Sequence, residues 1–597
     1  MRWRATQLAL LLFALNLPAQ TQRIVELPPY VVEDSLVPPW RYAKIPGLEV
    51  ISRCSDAATT DLIETNYQLL GLLDELLLPR KLQPKLDVPT AYVLYDEDTQ
   101  PAVSREFIAE FQRHEQQSPA KGTPSIRIPT SVRVLPNYRF SDSDSLTVFF
   151  LLEVADDTKG GLTLTPGYLR YLLTTRVPAL PPWFVEGMQE LYKTVDLGNV
   201  DLGSAFHPSQ SRLFSIRSSD AGVTMRPAFW VSDEETAVIR NGRIAPADLL
   251  VPAPAVLFTA PPPEPGHEAD FHRWLSHAAL FIRWALDDTT QSHRQALWKF
   301  VERASVQSAT EALFLECFGL KYADLDLQLR AYLRGAVKDA IYLRPAGPSP
   351  NPVVKLRDAT EGEVSRLKGG LNRLEIAYVQ ALIPDLKERY VAQARRTLRR
   401  AYDHGDRDPR LLAELGLFEC NAGNDTGARP FLAAAVQAEV VRPQAYYELA
   451  RIDFHSLRSA AASAKLTPPQ ATALTDLLLA ARRQSPPLPQ AYELFTLVWL
   501  SSEQALTPGS LEIIDEGLRL FPHRTGLLYL DAMLMAQYGF TAEARTLIKR
   551  GLQLTSDAKV RTRFLRLSDA LLTRPQSEPP PVPVPASSSA SHPHAAL

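Results

Sequence analysis

The chain has 597 residues, 45% hydrophobic and 22% charged, and its 64 Lys and Arg against 67 Asp and Glu leave a formal net charge of -3. That length provides for several packed units, and the composition is that of ordinary globular protein, which excludes collagen, coiled coil and wholesale disorder. The balanced charge lacks the basic surface that neutralises phosphates over an extended footprint, so nucleic acid is not an expected partner.

Arg2 and Arg4 precede the apolar run Leu8 to Leu17, followed by Pro18, Ala19 and Gln20. A basic start, a short apolar stretch and a small residue near a plausible cut read as a signal peptide over 1–20, and the expected location is secreted or periplasmic. No segment reaches the roughly 20 apolar residues that a membrane span needs. Cys54, Cys317 and Cys420 are too few and too scattered for a disulfide framework, and no CxxC pair exists. They are expected to be buried, inert thiols.

Residues 21–47 are Pro-rich and read as an extended segment. Leu48 to Ser52 and Pro89 to Tyr95 have strand composition, with helical apolar spacing between them over Asp61 to Leu78. A short strand is expected within Ser131 to Phe140. Leu146 to Val154 (LTVFFLLEV) is continuously apolar and is expected inside a sheet, since a half-exposed strand would alternate. Val195 to Gly266 reads as irregular and Pro-rich. Helical spacing returns over Phe271 to Leu286, Arg294 to Val301, Ala309 to Phe318 and Leu325 to Leu333, until Pro345, Pro348, Pro350 and Pro352 mark a boundary.

Beyond Leu371 the chain is almost wholly helical. Gly423, Ala428 and Ala435 share their spacing with Gly539, Ala544 and Gly551, and Ala394 with Ala401 and Ser510 with Gly517 repeat its second half. Small residues at these places let two antiparallel helices approach closely. Pro409 and Pro443 lie 34 positions apart, Pro489 and Pro522 also precede helices, and QAYYEL at Gln444 is echoed by QAYEL at Gln490. The pattern resembles tetratricopeptide repeats.

The chemistry-bearing stretch is Gly161 to Lys193. Leu180-Pro181-Pro182-Trp183-Phe184-Val185-Glu186-Gly187-Met188-Gln189-Glu190-Leu191-Tyr192 resembles LPxWLxEGLAEY, the second half of a motif in secreted bacterial gluzincins, zinc peptidases whose first half reads approximately HEYTHxLL. The resemblance implies two His four residues apart on one helix, a Glu that activates water, and a third ligand at Glu186. In this chain Pro166 stands for the first His, Gly167 for the catalytic Glu and Arg170 for the second His. Proline offers no ligand atom, glycine no base, and a guanidinium repels a cation. Thr165 and Pro166 read instead as a helix cap and first helical residue.

Substitute ligands do not have the right spacing. His267 and His272, like His272 and His277, are five apart, which places them about 140° apart around a helix. His114-Glu115 has no second His. Glu186 and Glu190, one turn apart, leave open a hydrolase with a relocated or non-zinc site near Glu186.

The expected organisation is therefore a signal peptide (1–20), an extended segment (21–47), a degenerate gluzincin-like domain of α+β zincin-like fold (48–340), a Pro-rich linker (341–370), an all-α tetratricopeptide-like helical solenoid (371–573) and a disordered Pro/Ser-rich tail (574–597). The vestigial site comprises Pro166, Gly167, Arg170, Glu186 and Glu190, with no catalytic residue, metal or cofactor. The expected partner is a protein or peptide, held by the repeats or the relic cleft.

Overall fold

The computed structural model describes residues 38–96, 137–152, 162, 164–199, 221–228, 257–258, 268–288, 290–347, 351–460, 465–503, 505–555 and 557–573. The expected signal peptide and the tail 574–597 lie outside them.

The chain opens with the hairpin β1 (Arg41–Ile45) and β2 (Leu48–Ser52), turned at Gly47 with a φ of 74°. Part of the segment expected to be merely extended is thus a strand. Helix α1 (Asp56–Leu72) follows, its first turn capped by the Ser55 side chain, which accepts from the Ala58 N–H. Strands β3 (Thr90–Asp96), β4 (Asn137–Ser141) and β5 (Leu146–Leu152) come next, then α2 (Pro166–Thr175), α3 (Pro182–Tyr192), β6 (Val195–Asn199) and β7 (Ala221–Met225). Four helices, α4 (Glu268–Leu286), α5 (Ser292–Ala304), α6 (Glu311–Phe318) and α7 (Tyr322–Ala336), lead to β8 (Ile341–Leu343) and β9 (Arg357–Asp358).

The main sheet has the order β4-β5-β3-β2-β1-β9, with β2, β3 and β5 parallel and the remaining pairs antiparallel. The apolar run expected within a sheet is β5, flanked on both sides. Its continuous hydrophobicity has a direct cause, since both faces of the sheet are covered. Val50, Tyr92, Leu94, Val148 and Phe150 face a core shared with α1 to α7. Tyr42, Ile51, Val93, Tyr95, Phe140 and Phe149 face the opposite way, into a core with Leu367, Leu371 and Leu374. The period-two alternation survives as a choice between two interiors.

Two expectations for irregular chain are corrected. The stretch from Val195 to Gly266 contains β6 and β7, which pair with β8 in a second, three-stranded sheet. Gly198 and the shortness of both strands hide them from pattern reading. The expected linker 341–370 holds β8, β9 and the start of α8 (Glu361–Leu382). Pro345 follows β8 by two residues, and Pro352 lies in the segment that leads to β9.

From α8 the fold is a helical solenoid: α9 (Lys387–Asp403), α10 (Pro409–Asn421), α11 (Asp425–Gln437), α12 (Pro443–Ala460), α13 (Pro468–Arg482), α14 (Pro489–Leu500), α15 (Pro508–Leu520), α16 (Thr525–Gln537), α17 (Thr541–Leu554) and α18 (Ala558–Thr573). Pro409, Pro443 and Pro489 are first helical residues, where a missing N–H costs nothing. Ala394, Ala401, Ala428, Ala435 and Ala544 are fully or almost fully buried. A Cβ on Gly517 would stand 2.8 Å from the Tyr492 ring. Gly423 and Gly539 serve differently, ending α10 and α16 with φ of 76° and 84°.

Buried ion pairs join the solenoid to the sheet. Arg366 of α8 grips Glu49 of β2 through two hydrogen bonds of 2.9 Å, and Tyr42 Oη and Arg410 Nη1 donate to the same carboxylate at 2.7 and 3.0 Å. At the β4–β5 turn, Arg373 donates to Asp142 at 2.7 Å and to Glu414 at 2.8 Å. Arg442 pairs with Glu414 and Asp144, each at 3.1 Å, and Asp144 accepts from the Gln444 N–H at 2.7 Å. Burial alone would push the Asp142 carboxyl up, but Arg373 and Arg442 outweigh it and hold it well below the usual carboxylate range.

A chain ending at Pro345 would uncover the second sheet face and strand Glu49, Asp142 and Asp144 without their arginines. Such a truncation is expected to bind a hydrophobic dye and to lose cooperative urea unfolding. A sharp transition with native-like near-ultraviolet circular dichroism would contradict the shared core.

In the solenoid core Asp531 is buried, with Oδ1 accepting from Thr496 Oγ1 at 2.8 Å and Oδ2 lacking a partner among the described residues. Burial pushes its carboxyl up to about 7 from an ordinary 3.8. The folded chain thus holds this proton more tightly than the unfolded chain, and its contribution to stability is lost as pH rises between those values. Asp531→Asn should be more stable than the parent at pH 8, by on the order of 1–3 kcal/mol, with the advantage fading toward pH 4. Urea titrations at the two pH values measure this.

Candidate functional site

The motif halves form the helix pair α2 and α3. Thr165 caps α2, its hydroxyl accepting from the Tyr168 N–H at 3.2 Å, and Pro166 is the first helical residue. Tyr192 Oη at the end of α3 donates to the Leu164 carbonyl at 2.7 Å, tying the pair together. Trp183 sits fully buried among Phe258, Phe281 and Phe300, with ring centroids 5.1 to 5.8 Å away. That aromatic cluster fixes the depth of α3.

The positions that the resemblance gives to the general base and the second His have other contacts. A Cβ at Gly167 would stand 2.9 Å from Arg139 Nη1, so the β4 guanidinium lies against the bare backbone where the general base is expected. The same guanidinium lies 5.9 Å from the centroid of the Tyr171 ring. Arg170 Nη1 donates to Gln189 Oε1 at 3.1 Å and has no hydrogen bond or ion pair to Glu186. Glu190 is almost buried and pairs with Lys193 at 2.6 Å. Glu186 is half-buried and has neither a hydrogen bond nor an ion pair among the described residues. Two guanidinium groups and one lone carboxylate make an environment unfavourable to a divalent cation.

The space beside α2 is small. Asn66, Tyr92, Thr165 and Tyr168 line a cavity of about 10 Å³, room for about one water molecule. Asn66 Nδ2 donates to Tyr92 Oη at 2.5 Å, and burial raises the Tyr168 hydroxyl well above its usual range. The histidines do not converge either: on α4, His272 is exposed and His277 is fully buried. His267, His114 and Glu115 lie outside the described residues. Among the described residues, no three His, Cys, Asp or Glu side chains group as metal ligands do.

Gly187, beside Glu186, has a packing duty. A Cβ there would stand 2.8 Å from Ala278 Cβ and 2.9 Å from the Ala278 carbonyl carbon, so α3 and α4 touch nearly backbone to backbone. Part of the EG signature is therefore explained by helix contact alone.

Sequence reading missed Arg139, whose place on a short strand after a polar stretch carries no chemical signal. It also missed a larger cavity of about 460 Å³ between β1, the segment entering β9, α8 and α10. That cavity forms only when chain positions more than 300 residues apart meet.

No protein-family model matches the chain, and no curated protein matches it. Solved structures resemble its helical part. A structure of MamA shares 18% identity with a TM-score of 0.23, covering 28% of this chain and 90% of MamA. YrrB, described as a TPR protein with an unusual peptide-binding site, shares 12% with a TM-score of 0.25, covering 32% of this chain and 88% of YrrB. Pseudomonas aeruginosa pilF shares 17% with a TM-score of 0.25, covering 34% of this chain and 86% of pilF. The zincin-like character of the sheet-containing domain gains no support from these comparisons.

The contrast between neighbouring residues is testable. Gly187→Ala should cost about 1–3 kcal/mol, because its methyl group meets backbone, whereas Glu186→Gln should lie within about 0.5 kcal/mol of the parent. Urea denaturation of both variants measures the difference.

Proposed function

We propose that the chain is a secreted or periplasmic, non-catalytic protein that binds an extended peptide or protein segment on its helical solenoid, with the sheet-containing domain as a fixed platform. The observation that carries the reading is the state of the vestigial site: Gly167 against Arg139, Arg170 on Gln189, and Glu186 with neither a hydrogen bond nor an ion pair among the described residues. The gluzincin-like ancestry of residues 180–192 belongs to the same proposal. The basic start and apolar run before residue 20 support export.

The binding surface is the face formed by the first helices of successive pairs. On it, Arg524 at the start of α16 donates to Glu493 of α14 at 2.8 Å. Tyr447 of α12 lies within the electrostatic reach of both. A polar, aromatic-bearing face spanning three pairs suits an extended peptide, as solenoid surfaces do.

The test is an array of unstructured peptides probed with the full chain and with Glu493→Arg. The exposed Arg524–Glu493 pair contributes little to stability, so the variant should melt like the parent. It is expected to lose at least about tenfold in affinity for the peptides the parent captures. Peptide hydrolysis that disappears in Glu186→Gln would instead establish a hydrolase.

A further inference from the structure

We infer that the cavity between β1 and the start of α8 binds a small, multiply charged oxyanion, a polycarboxylate or a polyphosphate. The site is separate from the peptide-binding face proposed above. Its volume of about 460 Å³ lies within the range of small-molecule pockets, and it opens to solvent.

Strand pairing assembles the cations. Tyr42 of β1 is in register with Arg357 of β9, and the Arg357 guanidinium lies 4.4 Å from the centroid of the Tyr42 ring. Lys44, at the far end of β1, and Lys355, two residues before β9, both line the cavity. Arg410, from α10, completes the basic lining.

The charge is not neutralised from within. Glu363 is the acidic liner, and it is taken by Arg357 and by the Thr360 N–H, to which it is bonded at 2.8 and 2.9 Å. Arg410 is held by Glu49 and Asp408 at 3.0 Å each, and Glu49 is shared with Arg366. Lys44, Lys355, Arg357, Arg366 and Arg410 thus face Glu49, Glu363 and Asp408, an excess of two positive charges. That excess resides on Lys44 and Lys355, which are exposed and have no hydrogen bond or ion pair among the described residues.

The held arginines and the free lysines have different uses. Arg357 and Arg410 are fixed by their partners and present remaining N–H groups in set directions. The two ammonium groups, exposed on the lining, are free to turn toward a ligand. Two uncompensated charges favour a ligand with at least two negative charges over a monovalent one.

Isothermal titration calorimetry of the full chain with pyrophosphate and with citrate tests the inference, with acetate as the monovalent comparison. Pyrophosphate, citrate or both should bind, acetate should not, and added salt should weaken the binding. The stronger of the two identifies phosphate or carboxylate as the natural chemistry. A Lys44→Ala/Lys355→Ala double variant should lose at least about tenfold in affinity, while Lys549→Ala, on the exposed side of α17, should bind like the parent. Absence of binding by both polyvalent anions, or equal affinity in the double variant and the parent, overturns the proposal.

Discussion

The structure depends on charges that lie where charges are costly. Glu49 on β2 and Asp144 at the β4–β5 turn are buried and Asp142 beside the latter is partly so, and Arg366, Arg373 and Arg442 reach them from the helical repeats. Such pairs add little net stability over an apolar replacement of the same shape, because each ion gives up its hydration. What they add is intolerance of any other arrangement, since a small sliding of α8 across the sheet would leave several buried ions unmatched. The apolar core that holds Leu367 and Leu371 with Val93 and Phe149 supplies the adhesion, and the ion pairs set the register.

The parts that were legible in the chain are those governed by local rules. Strands β2, β3 and β5 announce themselves by β-branched and aromatic density, and the solenoid by prolines at helix starts and small residues at a fixed interval. The sheet of β6, β7 and β8 was not legible, because each strand is short and the partners lie far apart in sequence. The prolines near residue 345 were read as a break between domains. Pro345 follows β8 closely, and α8, further on, completes the core of the sheet; proline reports where a helix stops, and not whether two modules share an interior.

The vestigial site divides the same way. The helix start at Pro166 and its cap are local and readable, and Thr165 and Pro166 occupy those places. Arg139 approaching Gly167 is not readable, because a guanidinium on a distant strand leaves no trace in the helix it meets. Gly187 shows the opposite hazard, a residue that looks like part of a catalytic signature and is required by helix packing. Motif resemblance therefore speaks to the placement of α2 and α3, and the side chains around them decide the chemistry.

Helix α8 covers the sheet and begins the repeats at once, and this dual membership limits how the protein can vary. A repeat inserted or deleted near α8 would displace Arg366 and Arg373 from their carboxylates. A repeat gained or lost beyond α14 would disturb only its neighbours. The beginning of the array is thus anchored and its far end is free to change copy number, so related chains should differ in reach while keeping the same angle of departure from the sheet.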